Sequence, residues 1–194
     1  MTQLRPTLQA VLRAFPRDRG FALVGGVAVS ARTEPRFTRD LDFAFAVETD
    51  GEAEGILFEL GRCGFPVFAT VEHEITKRLS TARCRRDADS PFVDLLFDAS
   101  GIEAEVVAGA TPLVVLGVEV PVAAVGHLIA MKLVSRHPKR RPRDQQDLVA
   151  LAGVADEAEW RRAATAVALV QQRGFSRGRD LVAGLQEIRE LADD

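Results

Sequence analysis

An α/β (α+β) fold, with a mixed β-sheet in the N-terminal lobe and a helical C-terminal lobe, is predicted by three features of the chain. The stretch from Ala22 to Phe45 runs in the order strand, turn, helix, loop, strand. Three further β-like runs follow a first helical segment, at Pro66 to Val71, Leu79 to Cys84 and Phe92 to Phe97, an order that suits a mixed sheet. Beyond Val120 the pattern turns mostly helical, so the lobes divide near residue 121, into 1–121 and 122–194.

Each element has its own signal. Leu8, Val11, Leu12 and Phe15 recur at helical spacing in a segment that starts at Leu4 and is stopped by Pro16 and Gly20. Leu23 and Val24 form a short apolar run that ends at Gly25 and Gly26, and Val27 to Arg32 reads as a helix. Leu41 to Val47 alternates as a strand until Glu48 to Gly51 turns the chain. Residues 52–63 carry Ile56, Leu57 and Leu60 as a buried stripe closed by Gly64. Ile102 to Ala108 fits helix and strand equally, and Leu113 to Val120 reads as a hairpin tightened at Gly117. Val122 to Ser135, Asp144 to Ala152, Asp156 to Gln172 and Arg179 to Ala192 are predicted helices, with Trp160 packed between the last of them.

Composition narrows the function classes. Hydrophobic residues make up 47% and charged residues 27% of 194 residues, which excludes a disordered chain. No apolar run reaches membrane-spanning length and the N-terminus lacks a long apolar core, so a cytoplasmic protein is expected. Cys63 and Cys84 lack metal spacing and read as reduced and structural, and three histidines make a zinc site a poor expectation. With a net charge of −3 the chain is not a generally basic nucleic-acid binder. Its cations are concentrated instead, with Arg136, Lys139, Arg140, Arg141 and Arg143 in one short stretch and Lys77, Arg78, Arg83, Arg85 and Arg86 in a looser group.

The chemistry centres on Gly25-Gly26 and Asp40-Leu41-Asp42. Side chains alternate along a strand, so Asp40 and Asp42 share a face, roughly 7 Å apart. Two carboxylates so placed suit divalent cations in phosphoryl transfer. Gly25 and Gly26, without Cβ atoms, let the backbone approach a polyphosphate, and the following helix offers it unpaired N–H groups. Asp94 lies inside the apolar run Phe92 to Phe97, where a carboxylate is costly unless paired or metal-bound. The alternative is a strand face turned to solvent and shared with Asp98.

Gly-Gly, a spacer and Asp-x-Asp in this order resemble the nucleotidyltransferase superfamily typified by DNA polymerase beta. The stretch GGVAVSARTEPRFTRDLDF is closer to the AbiEii-like toxins of bacterial toxin–antitoxin pairs, for which the long spacer 27–39 is usual. Many relatives carry Gly-Ser where this chain has Gly25-Gly26, which removes one hydroxyl contact to phosphate. The resemblance implies the nucleotidyltransferase fold. It implies two Mg²⁺ ions on Asp40, Asp42 and Asp94, with Asp94 also taking the proton of the attacking hydroxyl.

A second match lies at residues 128–151. Lys132 sits on an apolar helix and, by the resemblance, contacts the triphosphate. Arg143, Asp144 and Asp147 match the family's basic residue followed by Asp-x-x-Asp. Asp144 and Asp147 would support the nucleotide or orient Lys132, and Arg39 beside Asp40 joins the nucleotide-binding residues. Plainer readings stand beside these: Asp144 as a helix N-cap, Asp147 as a first-turn acid, and His127 as structural. The implied function is a Mg²⁺-dependent transfer of NMP from an NTP to an RNA or tRNA 3′ end, by a toxin with a cognate antitoxin. Two alternatives are nucleotidylation of a small aminoglycoside- or lincosamide-type molecule, and an inactive nucleotide- or RNA-binding protein of the same fold.

Overall fold

A seven-stranded mixed sheet carries the computed structural model, which describes residues 3–136 and 142–193. In chain order the elements are α1 (Leu4–Ala14), β1 (Phe21–Val24), α2 (Gly25–Arg32), β2 (Leu41–Phe45), α3 (Asp50–Arg62), β3 (Val67–Glu72), β4 (Leu79–Cys84) and β5 (Val93–Leu96). There follow α4 (Glu103–Ala108), β6 (Thr111–Val115), β7 (Val118–Val122), α5 (Val125–Ser135), α6 (Pro142–Ala152), α7 (Glu157–Gln172) and α8 (Leu181–Asp193). The strands lie in the order β3-β4-β5-β2-β1-β7-β6. β2 runs parallel to β5 and antiparallel to β1, and β1 runs parallel to β7. From Val122 onward the described residues form no further strand.

Period-two alternation gives β2 its two characters. Phe43 and Phe45 are fully buried on one face, where Phe15 of the chain just past α1 meets both rings edge-on at 4.9 Å. Asp40 and Asp42 fall on the opposite face, as the alternation requires. β5 repeats the pattern: Val93 and Leu95 are buried with the phenylalanines, and Asp94 points the other way. One side of the sheet centre is thus a hydrophobic core and the other a carboxylate surface. α5 packs over that second side, against α2, α6, α7 and α8.

Two expectations need correction and one open segment is decided. The helix expected from Val122 starts at Val125, because Val122 pairs with Leu23 and Thr111 as the last residue of β7. The ambiguous segment at 102–108 is helical, its N-terminus fixed by Glu103, whose carboxylate accepts from the Ser100 hydroxyl at 2.7 Å and the Ser100 N–H at 2.8 Å. Of the two free cysteines only Cys84 is buried, so a structural role falls to that one. Trp160 is buried as expected, with the Arg189 guanidinium over its ring at 5.6 Å.

α5 and α7 come together at Gly126, whose N–H donates to Glu159 at 2.7 Å. A Cβ there would lie 2.3 Å from the Glu159 carbonyl oxygen, so the helices can approach this closely only at glycine. Next to it His127 is buried, and Nδ1 finds no hydrogen-bond partner among the described residues. Burial and the nearby Arg162 hold its pKa below the ordinary value, against the opposing pull of Glu159 and Glu105. The unfolded chain therefore binds the proton more readily, and stability falls as pH drops below about 6.5. Replacing His127 by Gln is expected to flatten the fall of Tm between neutral pH and pH 5. A wild-type slope in that variant would contradict the assignment.

Candidate active site

The site forms where β1 stops and α2 begins. Gly25 has φ +63°, a conformation that favours glycine, and a Cβ there would lie 2.0 Å from Oδ2 of Asp42. The absence of a side chain lets the carboxylate of Asp42 lie directly against the turn. The next residue, Gly26, turns its backbone N–H toward Asp42, which favours the charged carboxylate. Val24 and Asp42 are partners across the β1–β2 ladder, which fixes this contact.

Asp42 also faces Asp94 across the parallel β2–β5 pair. Burial, reinforced by Asp94 and Asp40 and opposed by Lys132, pushes the Asp42 carboxyl up to about 7. Burial likewise raises Asp40, against the pull of Arg83. Asp94 is only 8% exposed, so the solvent-facing alternative for this strand position is excluded. Arg83, its neighbour on antiparallel β4, donates Nε to Oδ1 at 2.7 Å and Nη2 to Oδ2 at 2.6 Å. Asp98 is buried as well, accepting from the Thr76 hydroxyl at 2.7 Å.

Lys132 approaches the same space from α5. Its ammonium lies 2.9 Å from Asp144 Oδ1 and 2.7 Å from Asp147 Oδ2, and Arg36 reaches Asp147 at 2.6 Å. Asp144 and Asp147 are buried at 4% and 1% exposure. Their carboxylates are turned onto Lys132. Arg143 is exposed.

A cavity of about 220 Å³ is lined by Gly25, Gly26, Asp42, Met131, Lys132 and Ser135. A second, of about 190 Å³, adjoins it and is lined by Asp42, Asp94, Ser100, Met131, Ser135 and Arg177. Asp42 stands where the two meet. The fold therefore brings Gly25, Gly26, Asp42, Asp94 and Lys132 around one cleft. Asp40 and Arg39 line a separate groove with Phe37, Arg85 and Phe92, so Arg39 is not in the cleft of the glycines and Lys132. Lys139, Arg140 and Arg141 lie outside the described residues.

Hard oxygen donors, with no thiolate or imidazole among them, suit Mg²⁺. The raised Asp42 marks a crowded negative centre that a cation would relieve. Asp40 and Asp42 fit this use. Asp94 shares its face but has both oxygens engaged by Arg83, and among the described residues no three His, Cys, Asp or Glu side chains converge as a ready metal cage.

Sequence reasoning placed Arg83 only in a loose group of cations and missed Arg36. Arg83 occupies an outward position of an alternating strand, and only the β4–β5 pairing shows that it meets Asp94. Arg36 lies in the loop before β2 with no local signal.

The sequence model of the family described as "Nucleotidyl transferase AbiEii toxin, Type IV TA system" matches residues 7–193. No curated protein sequence matches the chain. Among solved structures, an antigenic nucleotidyltransferase-like protein from Paracoccidioides brasiliensis superposes with TM-score 0.50 at 20% identity, over 93% of this chain and 91% of that one. The lincosamide antibiotic adenylyltransferase LnuA, bound to lincomycin, superposes with TM-score 0.51 at 14% identity, over 79% of this chain and 97% of that one. The nucleotidyltransferase toxin MenT4 from Mycobacterium tuberculosis H37Rv gives TM-score 0.47 at 16% identity, over 95% and 86%. The first two likenesses show the fold, that of the nucleotidyltransferases.

Proposed function

The chain belongs to the nucleotidyltransferase AbiEii toxin family, and we propose that it transfers a nucleoside monophosphate from an NTP to the 3′ hydroxyl of an RNA, of tRNA type, held in check by a cognate antitoxin in the cytoplasm. One observation carries this reading: Asp42 opposes Asp94 at the mouth of the Gly25–Gly26 turn, in a cleft that Lys132 also lines. We take residues 1–121 as the catalytic lobe and 122–194 as the helical lobe, with the nucleotide between them.

The N–H groups at the start of α2 and the Lys132 ammonium bind the triphosphate. Asp144 and Asp147 hold that ammonium in place, and Arg36 braces Asp147. Two Mg²⁺ ions, held by Asp40 and Asp42 and by the lone pairs of Asp94 that Arg83 leaves free, would supply charge neutralisation at the α-phosphate and the departing pyrophosphate. The acceptor oxygen forms a bond to the α-phosphorus, the bond to the β-phosphate oxygen breaks, and pyrophosphate leaves. Asp94 takes the acceptor proton: an ionised carboxylate has about four lone-pair sites, and Arg83 engages two of them. Positioning and charge neutralisation supply most of the rate.

The acceptor is tested by incubating the protein with α-labelled NTPs, Mg²⁺ and total bacterial RNA. Label on RNA is expected. Label confined to a small hydroxylated antibiotic, with none on RNA for any nucleotide, would replace the RNA reading with the small-molecule one and leave the carboxylate chemistry standing.

A further inference from the structure

On the carboxylate side of the sheet a continuous run of planar groups leads from Asp94 to the open edge. Arg83, which holds Asp94, lies over the Phe92 ring at 4.7 Å. Arg85 lies over the other part of the same surface, 4.6 Å from the Phe92 ring and 5.1 Å from that of Phe68. The Phe68 and Phe92 rings are themselves 5.3 Å apart. These groups sit on β5, β4 and β3 or just beyond their ends, so the spacing between them follows the spacing between strands.

The packing of the fold does not account for this run. β3 is the edge strand, exposed along its whole length, and Phe68 is 62% exposed. A buried phenylalanine stabilises a core, but one left in water beside guanidinium groups offers a face to something else. The groove beside it, about 350 Å³ and lined by Phe37, Arg39, Asp40, Arg85, Ser90 and Phe92, connects the run with Asp40. Phe37 is 52% exposed there, with the Arg39 guanidinium 5.5 Å from its ring.

We propose that the Phe92–Arg85–Phe68 run is a stacking platform for the single-stranded 3′ end of the acceptor RNA, leading its terminal hydroxyl to Asp94. The inference rests on the nucleotidyl-transfer reading and adds the surface on which the acceptor lies. Nucleobases stack on aromatic and guanidinium faces without regard to sequence, and arginines between the rings neutralise the backbone. Bases in a duplex have no free faces to offer, so an unpaired end is the form that fits. A protein strand paired to the β3 edge would use backbone groups and alternating pockets instead, and would not need planar cations leading inward to a carboxylate.

The test measures transfer from an α-labelled NTP to a short single-stranded RNA and to a blunt RNA duplex. Wild type is compared with Phe68→Ala, at an exposed site, and Arg85→Gln, at a half-buried one where the shorter polar side chain leaves no cavity in the core, with the Tm of each variant measured alongside. Each variant is expected to raise KM for the single strand roughly tenfold, keep kcat at saturating RNA, and keep the rise in Tm that NTP binding is expected to give. Arg85→Gln is also expected to lower the salt slope of RNA binding by about one. The duplex is expected to be a poor acceptor for all three proteins. Wild-type KM for the single strand in both variants would overturn the platform while the transfer reading stands. The same result with loss of a protein partner would assign the edge to that partner, which also overturns it. If wild type labels neither RNA but does label a small hydroxylated acceptor, the RNA reading fails and the platform with it.

Discussion

Asp42→Asn is expected to abolish nucleotidyl transfer while leaving the folded protein at least as stable as wild type. Both halves follow from the same crowding. Asp42 is half-buried beside Asp94 and Asp40, and its charge is held out of water there at a cost that raises its pKa to about 7. An Asn of the same volume has no charge to keep out of water, and it also removes the repulsion from Asp94 and Asp40. In the proposed mechanism the same charge serves the polyphosphate chemistry, so its removal should lower kcat/KM roughly a thousandfold, about 4 kcal/mol. The measurement is transfer rate and Tm on the same preparation. A folded Asp42→Asn protein that turns over at the wild-type rate would remove Asp42 from the site.

Lys132→Ala is expected to give the largest loss of stability. The ammonium lies between two carboxylates that are almost wholly buried, and α5 and α6 meet through it. Taking away one partner of a buried ion pair typically costs roughly 3–5 kcal/mol, because the remaining charge loses its compensation. For a chain of this size that lowers Tm by roughly 6–20 °C. A charge-balanced variant separates fold from function. Lys132→Met combined with Asp144→Asn should regain most of the lost Tm, since a whole pair can be replaced at little cost. It should still fail to show the Tm rise that NTP gives wild type. A restored NTP response in this double variant would confine Lys132 to holding the helices together.

The face on which Asp40 and Asp42 lie was legible in the sequence, because period-two alternation is a local property of the chain. The apolar setting of Asp94 was legible for the same reason. That Asp42 and Asp94 are direct partners was not, since the register of two parallel strands is set by everything between residues 45 and 93. The pairing of Arg83 with Asp94 escaped notice on the same ground, since it comes through an antiparallel register that no spacing rule fixes. The Lys132 cluster was half legible. A lone cation on an apolar helix signals a buried anion, and the sequence reading gave that anion as phosphate, with Asp144 and Asp147 as its support. The fold supplies the two carboxylates directly, with Arg36 behind them. Helix boundaries failed where sheet pairing overrode propensity, as at Val122, which has the residue type for either element.

The central claim is that the cleft around Asp42, Asp94 and Lys132 moves a nucleotidyl group rather than a phosphate. Parallel reactions with α-labelled and γ-labelled NTP, Mg²⁺ and total RNA test it most directly. The predicted result is label on the acceptor from the α-position only, with the γ-label recovered in pyrophosphate. Label reaching the acceptor from the γ-position would contradict the account and make the protein a phosphotransferase.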